Sequence, residues 1–400
     1  MTNSLGENLQ ARSVAHKANP REGTSTRKHI LFLVTEDWYF CSHRLPLARA
    51  ALAAGYEVSV ATRVREHGEV IEAAGLRLIP LKLSRRSRHL AREARLVSDL
   101  FRLYRREKPD LVHQVALKPV LYGTLAARLA GVPAIVNALA GLGFLFVSER
   151  RIARTLRPLA ELTLRRLLNH ANTRTILQNT DDLHLLVEKR ILEARYGRLI
   201  RGSGVDLERF RVRPEPGGPP LVVLPARMLW DKGVGEFVAA ARQLRSEGIC
   251  ARFALVGDPD TENPSAIASA QLEEWQRSGV VEWWGHRTDM ECVFAECHIV
   301  CLPSYREGLP KALLEAAASG RPIVTTDVPG CREIVHEGEN GLLVPKGNPV
   351  ALAVALRRLI EEPDLRRRMG ERSSVIAASE FSLDEVIRQT LALYREMFGS

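Results

Sequence analysis

Two successive runs of short apolar segments, each alternating with helical stretches, constrain what this chain can fold into more than any other feature. In the first run the strand candidates are residues 30–35, 57–62, 76–81, 111–115, 134–137 and 175–178, with helical stretches such as 45–54 and 121–129 between them. The second run places strands at 221–225, 253–257, 280–284, 299–303, 322–326 and 341–344. Near-continuous apolar strands separated by helices belong to parallel sheets covered on both faces, because parallel neighbours need a crossover connection and the helices occupy the two faces. Between the runs lies Arg211-Val212-Arg213-Pro214-Glu215-Pro216-Gly217-Gly218-Pro219-Pro220, whose Pro and Gly density marks a loop that few contacts cross. A chain of 400 residues exceeds one typical core and suits two domains of about 150–200 residues each.

The segment from Glu307 to Glu315, Glu-Gly-Leu-Pro-Lys-Ala-Leu-Leu-Glu, sets two carboxylates eight positions apart around a strand-to-helix turn. Residues 299–303 read as a buried strand, 304–308 as its exit loop, and 311–318 as a helix with Pro310 in its first turn, where a missing N–H costs nothing. The unpaired first-turn N–H groups beside Gly308, Leu309 and Pro310 can receive phosphate oxygens. Glu307 falls in the loop and Glu315 about two turns down the helix, so one carboxylate can accept from sugar hydroxyls and the other from a ribose. Upstream, the strand at 221–225 delivers Arg227 and Lys232 into a loop ending at Gly233. A guanidinium fork and a mobile ammonium suit a diphosphate, which develops more charge as it leaves.

These segments resemble the retaining glycosyltransferases of family four. The likeness rests on Ala226-Arg227-Met228-Leu229-Trp230-Asp231-Lys232-Gly233, Val256-Gly257-Asp258, Pro303-Ser304-Tyr305-Arg306-Glu307-Gly308, the Glu307/Glu315 pair, and Gly330-Cys331-Arg332-Glu333-Ile334-Val335 followed by Asn340-Gly341. The first half matches more loosely, through His43 and through Lys118-Pro119-Val120-Leu121-Tyr122-Gly123 leading to Gly141-Leu142-Gly143-Phe144. Met228 to Val234 and Glu262-Asn263-Pro264-Ser265 are most similar to bacterial capsule, O-antigen and lipid-linked glycan assembly enzymes. The resemblance implies a GT-B fold, two Rossmann-like domains facing across a cleft. It implies an acceptor-binding domain over 29–199 after a flexible tail at 1–28, a nucleotide-sugar domain over 200–382, and a last helix, 383–400, crossing back to the first. It further implies a metal-independent retaining transfer with no cofactor beyond the UDP-sugar donor, His43 near the donor phosphates at a helix start, and Gly285-His286-Arg287 as the loop that holds the base. That loop read alone is equally a surface turn. Many relatives carry a cleft histidine before the Gly-x-Gly-Phe segment; here Ala140 stands there, and His113, Gln114, Lys118 and Asn137 remain open as substitutes.

Composition excludes several other classes. A 46% hydrophobic, 26% charged chain is that of a globular protein, and without a run of about 18 apolar residues no spanning helix is expected. The polar first 28 residues lack a hydrophobic h-region, so no secretory signal is expected. Six cysteines without a C-x-x-C spacing point to reduced thiols and no metal cluster. The chain is basic, 57 Lys and Arg against 47 Asp and Glu. From 85 to 108 nine cationic residues face three acidic ones, while Leu90, Ala94, Val97, Phe101 and Tyr104 recur at helical spacing; a second Arg-rich segment runs from 150 to 166. This pattern fits docking on the anionic inner face of the cell membrane, where a cytoplasmic enzyme meets a lipid-linked glycan acceptor, or else a solvated basic face. With aromatics at 6% and no recognition motif, no nucleic-acid partner is expected.

The expected function is therefore retaining transfer of a hexose or N-acetylhexosamine from a UDP-sugar to a sugar hydroxyl on a polyprenyl-diphosphate-linked glycan. A UDP-N-acetylglucosamine 2-epimerase would share fold and ligand but needs acid/base groups around the sugar C2 carbon. A dinucleotide oxidoreductase needs a Gly-x-Gly-x-x-Gly turn after the first strand, where Glu36-Asp37-Trp38-Tyr39-Phe40 stands instead.

Overall fold

The computed structural model describes residues 27–82, 90–142 and 151–399. The tail up to residue 26, Gly143, Phe144, Arg85, Arg86, Arg88 and Arg150 lie outside the described residues. Seven strands, β1 (His29–Glu36), β2 (Glu57–Arg63), β3 (Arg77–Pro80), β4 (Leu111–Val115), β5 (Ala134–Leu139), β6 (Thr173–Leu177) and β7 (Gly197–Leu199), form one parallel sheet in the order β3-β2-β1-β4-β5-β6-β7. Six more, β8 (Leu221–Pro225), β9 (Arg252–Val256), β10 (Glu282–Trp283), β11 (Ile299–Leu302), β12 (Ile323–Thr326) and β13 (Gly341–Val344), form a second parallel sheet in the order β10-β9-β8-β11-β12-β13. Both are doubly wound with the order reversing beside the first strand of each sheet, which opens a crevice at the carboxyl ends of β1/β4 and of β8/β11.

The strands are apolar on both sides because both sides are covered. On one face of the first sheet Ile30, Phe32 and Val136 are buried, on the other Leu31, Leu33 and Ile135; each such side chain contributes about 1.5–3 kcal/mol relative to exposure. Helix Leu90–Glu107 covers the second of these faces with Leu100, Leu103 and Tyr104. Ala94, expected on that buried face, is exposed, since the face that meets the sheet is shifted toward Leu96 and Leu100. The expected helix at 121–129 begins as a π-turn, Pro119–Gly123, and continues as Thr124–Ala130. β7 has no counterpart among the expected strands; three residues at a sheet edge carry too short a pattern to read.

Two connections join the sheets. After β7 the chain passes Gly204, whose left-handed φ of +71° lets it lie against Leu383, with a Cβ there 2.6 Å from the Leu383 Cα. Val205 then bridges Ser382. Ser382 caps the helix Leu383–Phe398 through Glu385 N–H at 3.3 Å. That helix packs Val386, Leu393 and Tyr394 into the core around Ile30 and Phe32. Across the cleft, Asn179 Nδ2 donates to the Gly308 carbonyl at 2.6 Å, and Glu333 accepts from Thr180 N–H at 3.1 Å and from Arg201 Nε at 2.9 Å.

Candidate active site

A cavity of about 650 Å³ lies between the sheets, within the range of about 300–1,000 Å³ that holds a small ligand. Its walls are strand ends: Glu36 closes β1, Ala116 and Ala140 follow β4 and β5, Gln178 follows β6, Arg227 follows β8, and Glu307 to Ala312 follow β11. All these strands are parallel within their sheets, so one end of each sheet gathers every exit loop.

On the second domain, Arg227 Nη1 holds Asp260 Oδ2 at 2.5 Å. Lys232 ends the 3₁₀ turn Trp230–Lys232, followed by Gly233 at φ +73°; a side chain on Gly233 would strike the Pro303 carbonyl, so the two loops pack backbone to backbone. This closeness joins Lys232 Nζ to Glu307 Oε1 in an ion pair, and the same oxygen accepts from Ser304 Oγ at 2.7 Å. Largely shielded and charge-assisted, the Lys232–Glu307 contact orients both groups into the cavity. Gly308 next in line presses on the Ala140 carbonyl, leaving no room for a Cβ.

Helix Lys311–Ala318 starts here with Pro310 as its N-cap rather than inside its first turn, its backbone being extended at φ −72°, ψ 111°. Leu313 N–H already reaches the Pro310 carbonyl at 3.0 Å, whereas Lys311 and Ala312, whose N–H groups precede the first intrahelical bond, line the cavity beside Leu309 and Pro310. Lys311 Nζ donates to the Ser42 carbonyl of the other domain at 3.0 Å and pairs with Glu315 at 3.2 Å. Glu315 is 7% exposed. Burial pushes its carboxyl up from the ordinary range, and Lys311 partly offsets this. It lines an adjoining recess of about 230 Å³ with Lys311, Arg209 and His43, so the two carboxylates of the motif face different compartments.

His43 lines both compartments. It is the last residue of helix Asp37–His43, not the start of a helix. Its ring stacks on Tyr39 at 4.1 Å, nearly parallel at 7°. Burial, helped by the positive charges of Lys311 and Arg44, lowers its pKa to about 3, so the imidazole is neutral.

The remaining candidates lie elsewhere. Gly285, His286 and Arg287 follow β10; the Gly285 carbonyl accepts from Gly257 N–H at 2.7 Å, Arg287 Nε donates to Asp289 at 2.7 Å, and the loop lines neither compartment. His113 is buried against Phe32 with Nδ1 bonded to Tyr394 OH, and burial lowers its pKa well below the usual range. Asn137 accepts from Thr124 Oγ1 at 3.0 Å, Gln114 Nε2 donates to the same hydroxyl at 3.4 Å, and Lys118 pairs with Glu93 at 2.9 Å. None of these four lines either compartment. His113, Gln114 and Asn137 sit within strands with their side chains on the sheet faces; the cavity is lined by the closing residues of strands, such as Glu36, Val115, Pro225 and Leu302, and by residues that follow them. Gln178, Tyr39, Asn263 and Lys311 do reach it without having been singled out. Gln178 had a signal, since it stands at the carboxyl end of an expected strand.

Residues 29–180 match the model for glycosyl transferase 4-like domains, and residues 219–362 the model for glycosyl transferases group 1. A Campylobacter jejuni N,N'-diacetylbacillosaminyl-diphospho-undecaprenol alpha-1,3-N-acetylgalactosaminyltransferase is 28% identical over 88% of this chain and 94% of its own length. An Escherichia coli UDP-Gal:alpha-D-GlcNAc-diphosphoundecaprenol alpha-1,3-galactosyltransferase is 24% identical over 68% of this chain and 72% of its own. Among solved structures, Anabaena Alr3699/HepE in complex with UDP and glucose superposes with a TM-score of 0.73 at 19% identity, over 91% of this chain and 98% of that one. WaaG, a glycosyltransferase involved in lipopolysaccharide biosynthesis, gives a TM-score of 0.69 at 16% identity, over 91% and 99%. The epimerase alternative finds no support in these relatives. With both domain models matched in order and the strand-end loops assembled into one charged cleft, the chain belongs to the glycosyltransferases that pair a 4-like domain with a group 1 domain, and has their GT-B fold.

Proposed function

We propose that this glycosyltransferase moves a hexose or N-acetylhexosamine from a UDP-sugar to a hydroxyl of a polyprenyl-diphosphate-linked glycan, with retention of configuration. The observation that carries the reading is the Lys232–Glu307 pair beside Arg227 and a helix N-terminus, all on one wall of a cleft sized for a sugar nucleotide. Arg227, Lys232 and the first-turn N–H groups take up the charge that grows on the leaving diphosphate. Glu307, fixed by Lys232 and Ser304, accepts from hydroxyls of the transferred sugar, and Glu315 in the smaller recess accepts from the ribose. The leaving phosphate takes the acceptor's proton in a front-face displacement, which is why no covalent nucleophile is needed. His43, neutral and stacked, supplies a hydrogen bond rather than a charge. The acceptor assignment follows the Campylobacter and Escherichia relatives, whose names specify diphospho-undecaprenol-linked sugars.

Peripheral docking on the inner membrane face belongs to the same reading. Among the described residues no helix is long and apolar enough to cross a membrane. Arg128 Nη1 of helix Thr124–Ala130 donates to the Arg166 carbonyl of helix Arg151–Leu168 at 2.7 Å. These helices carry Leu129 and Leu159, each 64% exposed, together with exposed Arg165 and Arg166. Apolar tips among arginines suit the headgroup boundary of an anionic bilayer.

A matrix of nucleotide sugars against short-chain polyprenyl-diphosphate sugars, read by mass, tests the proposal. One hexose or N-acetylhexosamine increment from a UDP donor is expected. Donor converted into a new nucleotide sugar without acceptor, or transfer to no lipid-linked acceptor, overturns it.

A further inference from the structure

At the rim of the cavity two arginines of the first domain converge on one carboxylate of the second. Arg63 ends β2 in register with Glu36, the end of β1. Its guanidinium lies 3.4 Å from Glu36 Oε1 and 3.2 Å from Glu262 Oε1. Arg65 lies 3.3 Å from Glu36 Oε2 and also pairs with Glu262 Oε1. Their loop is held from beneath by buried Asp37, whose Oδ2 accepts the backbone N–H groups of Arg65 at 2.6 Å, Glu66 at 3.1 Å and His67 at 2.9 Å. Those bonds outweigh the cost of burial and keep the Asp37 carboxyl below its ordinary range. Glu36 is nearly inaccessible, whereas Glu262 and both arginines are partly open to solvent.

Three features separate this arrangement from an ordinary surface ion pair. The arginines are preorganised by groups of their own domain, Asp37 and Glu36, so their positions do not depend on Glu262. Both fork onto the same Glu262 oxygen, which leaves donor capacity that a carboxylate oxygen cannot use and a phosphate can. Glu36 and Asn263, the neighbours of the arginines and of Glu262, both line the cavity, so a group bound at the pair borders the reaction space. Partly exposed ion pairs contribute little net stability, so Glu262 is readily displaced by a ligand of higher charge.

We propose that Arg63 and Arg65 bind the diphosphate of the lipid-linked acceptor, and that Glu262 occupies their site as an anionic stand-in when no acceptor is present. This rests on the proposed diphosphate-linked acceptor. On this assignment the donor diphosphate belongs to Arg227 and Lys232 of the second domain and the acceptor diphosphate to Arg63 and Arg65 of the first, so the acceptor sugar enters oriented by the diphosphate it keeps at its reducing end.

The test compares a short-chain polyprenyl-diphosphate sugar with the same sugar as a neutral alkyl glycoside, using the full chain. Arg63→Ala/Arg65→Ala is expected to raise KM for the diphosphate acceptor by about 10–100-fold, with KM for the neutral glycoside and the calorimetric affinity for UDP unchanged. Glu262→Gln, a surface change that spares the arginines, is expected to lower KM for the diphosphate acceptor severalfold and to strengthen inhibition by methylene diphosphonate. Equal losses on both acceptors, a weakened UDP affinity in the double variant, or a higher KM in Glu262→Gln would each overturn the assignment, the last by showing that Glu262 is a latch between domains. Failure of wild type to use any diphosphate-linked acceptor would instead defeat the proposed function, and is read without any variant.

Discussion

The two walls of the cleft are built on the same sheet topology yet differ in chemistry. The second-domain wall carries paired charges: Lys232 with Glu307 and Arg227 with Asp260, supplied by the loops after β8, β9 and β11, which lie side by side in the sheet. The first-domain wall presents Trp38, Tyr39, a neutral His43, Ala116, Ala140 and Gln178, with Glu36 held by arginines behind it. A diphosphate meeting the first kind of wall exchanges one anionic partner for another at preorganised cations, whereas a sugar meeting the second is selected by shape, stacking and neutral hydrogen bonds. One cleft thus offers an electrostatic half and a steric half, with Arg63 and Arg65 of the first domain set behind the second at the rim.

The sharpest way to break this contrast is to discharge the electrostatic half. Lys232→Ala is expected to lower kcat/KM by about 10²-fold or more, and Arg227→Ala by about 10–100-fold, because each loses a charge-assisted contact that strengthens in the transition state. Steady-state kinetics alongside UDP calorimetry and thermal melts decide it; wild-type turnover in a folded variant would remove the basis for the contrast.

Within that half, the two compartments separate Glu315 from Glu307. Glu315→Gln is expected to weaken UDP about tenfold, while Glu307→Gln leaves UDP affinity nearly intact and reduces turnover with the sugar nucleotide. Equal loss of UDP affinity in both would mean that the compartments do not divide ribose from sugar.

Outside the cleft, the basic face of the first domain is the next test. Arg95→Gln and Arg102→Gln, both exposed on helix Leu90–Glu107, are each expected to weaken co-sedimentation with anionic vesicles about fivefold, at about 1 kcal/mol per charge near the surface. Binding that ignores lipid charge or salt would make this an ordinary solvated surface.

The smallest expected effect concerns His43 and sharpens the steric half. Its folded pKa of about 3 lies below the unfolded value of about 6.5, so on acidification the unfolded chain takes up the proton first. Stability from this residue is therefore full above pH 7 and falls as pH drops from about 6.5 toward 3. His43→Gln should melt with a shallower loss between pH 7 and pH 5 than wild type, and the pH–rate profile near pH 6.5 should show no His43 titration. Parallel melting curves would show that the imidazole is not held neutral.

What the sequence could disclose follows from how local each feature is. β4, β8 and β13 coincide with the expected segments at 111–115, 221–225 and 341–344 because each is a short apolar run with abrupt ends. The same holds for helix Lys311–Ala318, bounded by Pro310 and Gly320. Lys232 and Glu307 were legible as chemistry because each sits in a loop just past such a strand, where side chains must leave the sheet plane. Strand order was not readable residue by residue, nor was the meeting of those two groups; both depend on β8 pairing with β11, 75 residues apart at the Lys232–Glu307 contact. The first-domain wall is more tertiary still. His113 and Asn137 carry the residue types of a site, yet strand alternation buries them under Tyr394 and beside Thr124. Gln178 carries no motif, and Asn263 stands in a segment, Glu262 to Ser265, that marks a likeness without a role; both reach the cavity because two separate sheets face one another. Local patterns determine which segments become strands and which loops hold charge; only the packing of one domain against the other decides which of those loops share a ligand, because that choice is made by contacts distant in sequence.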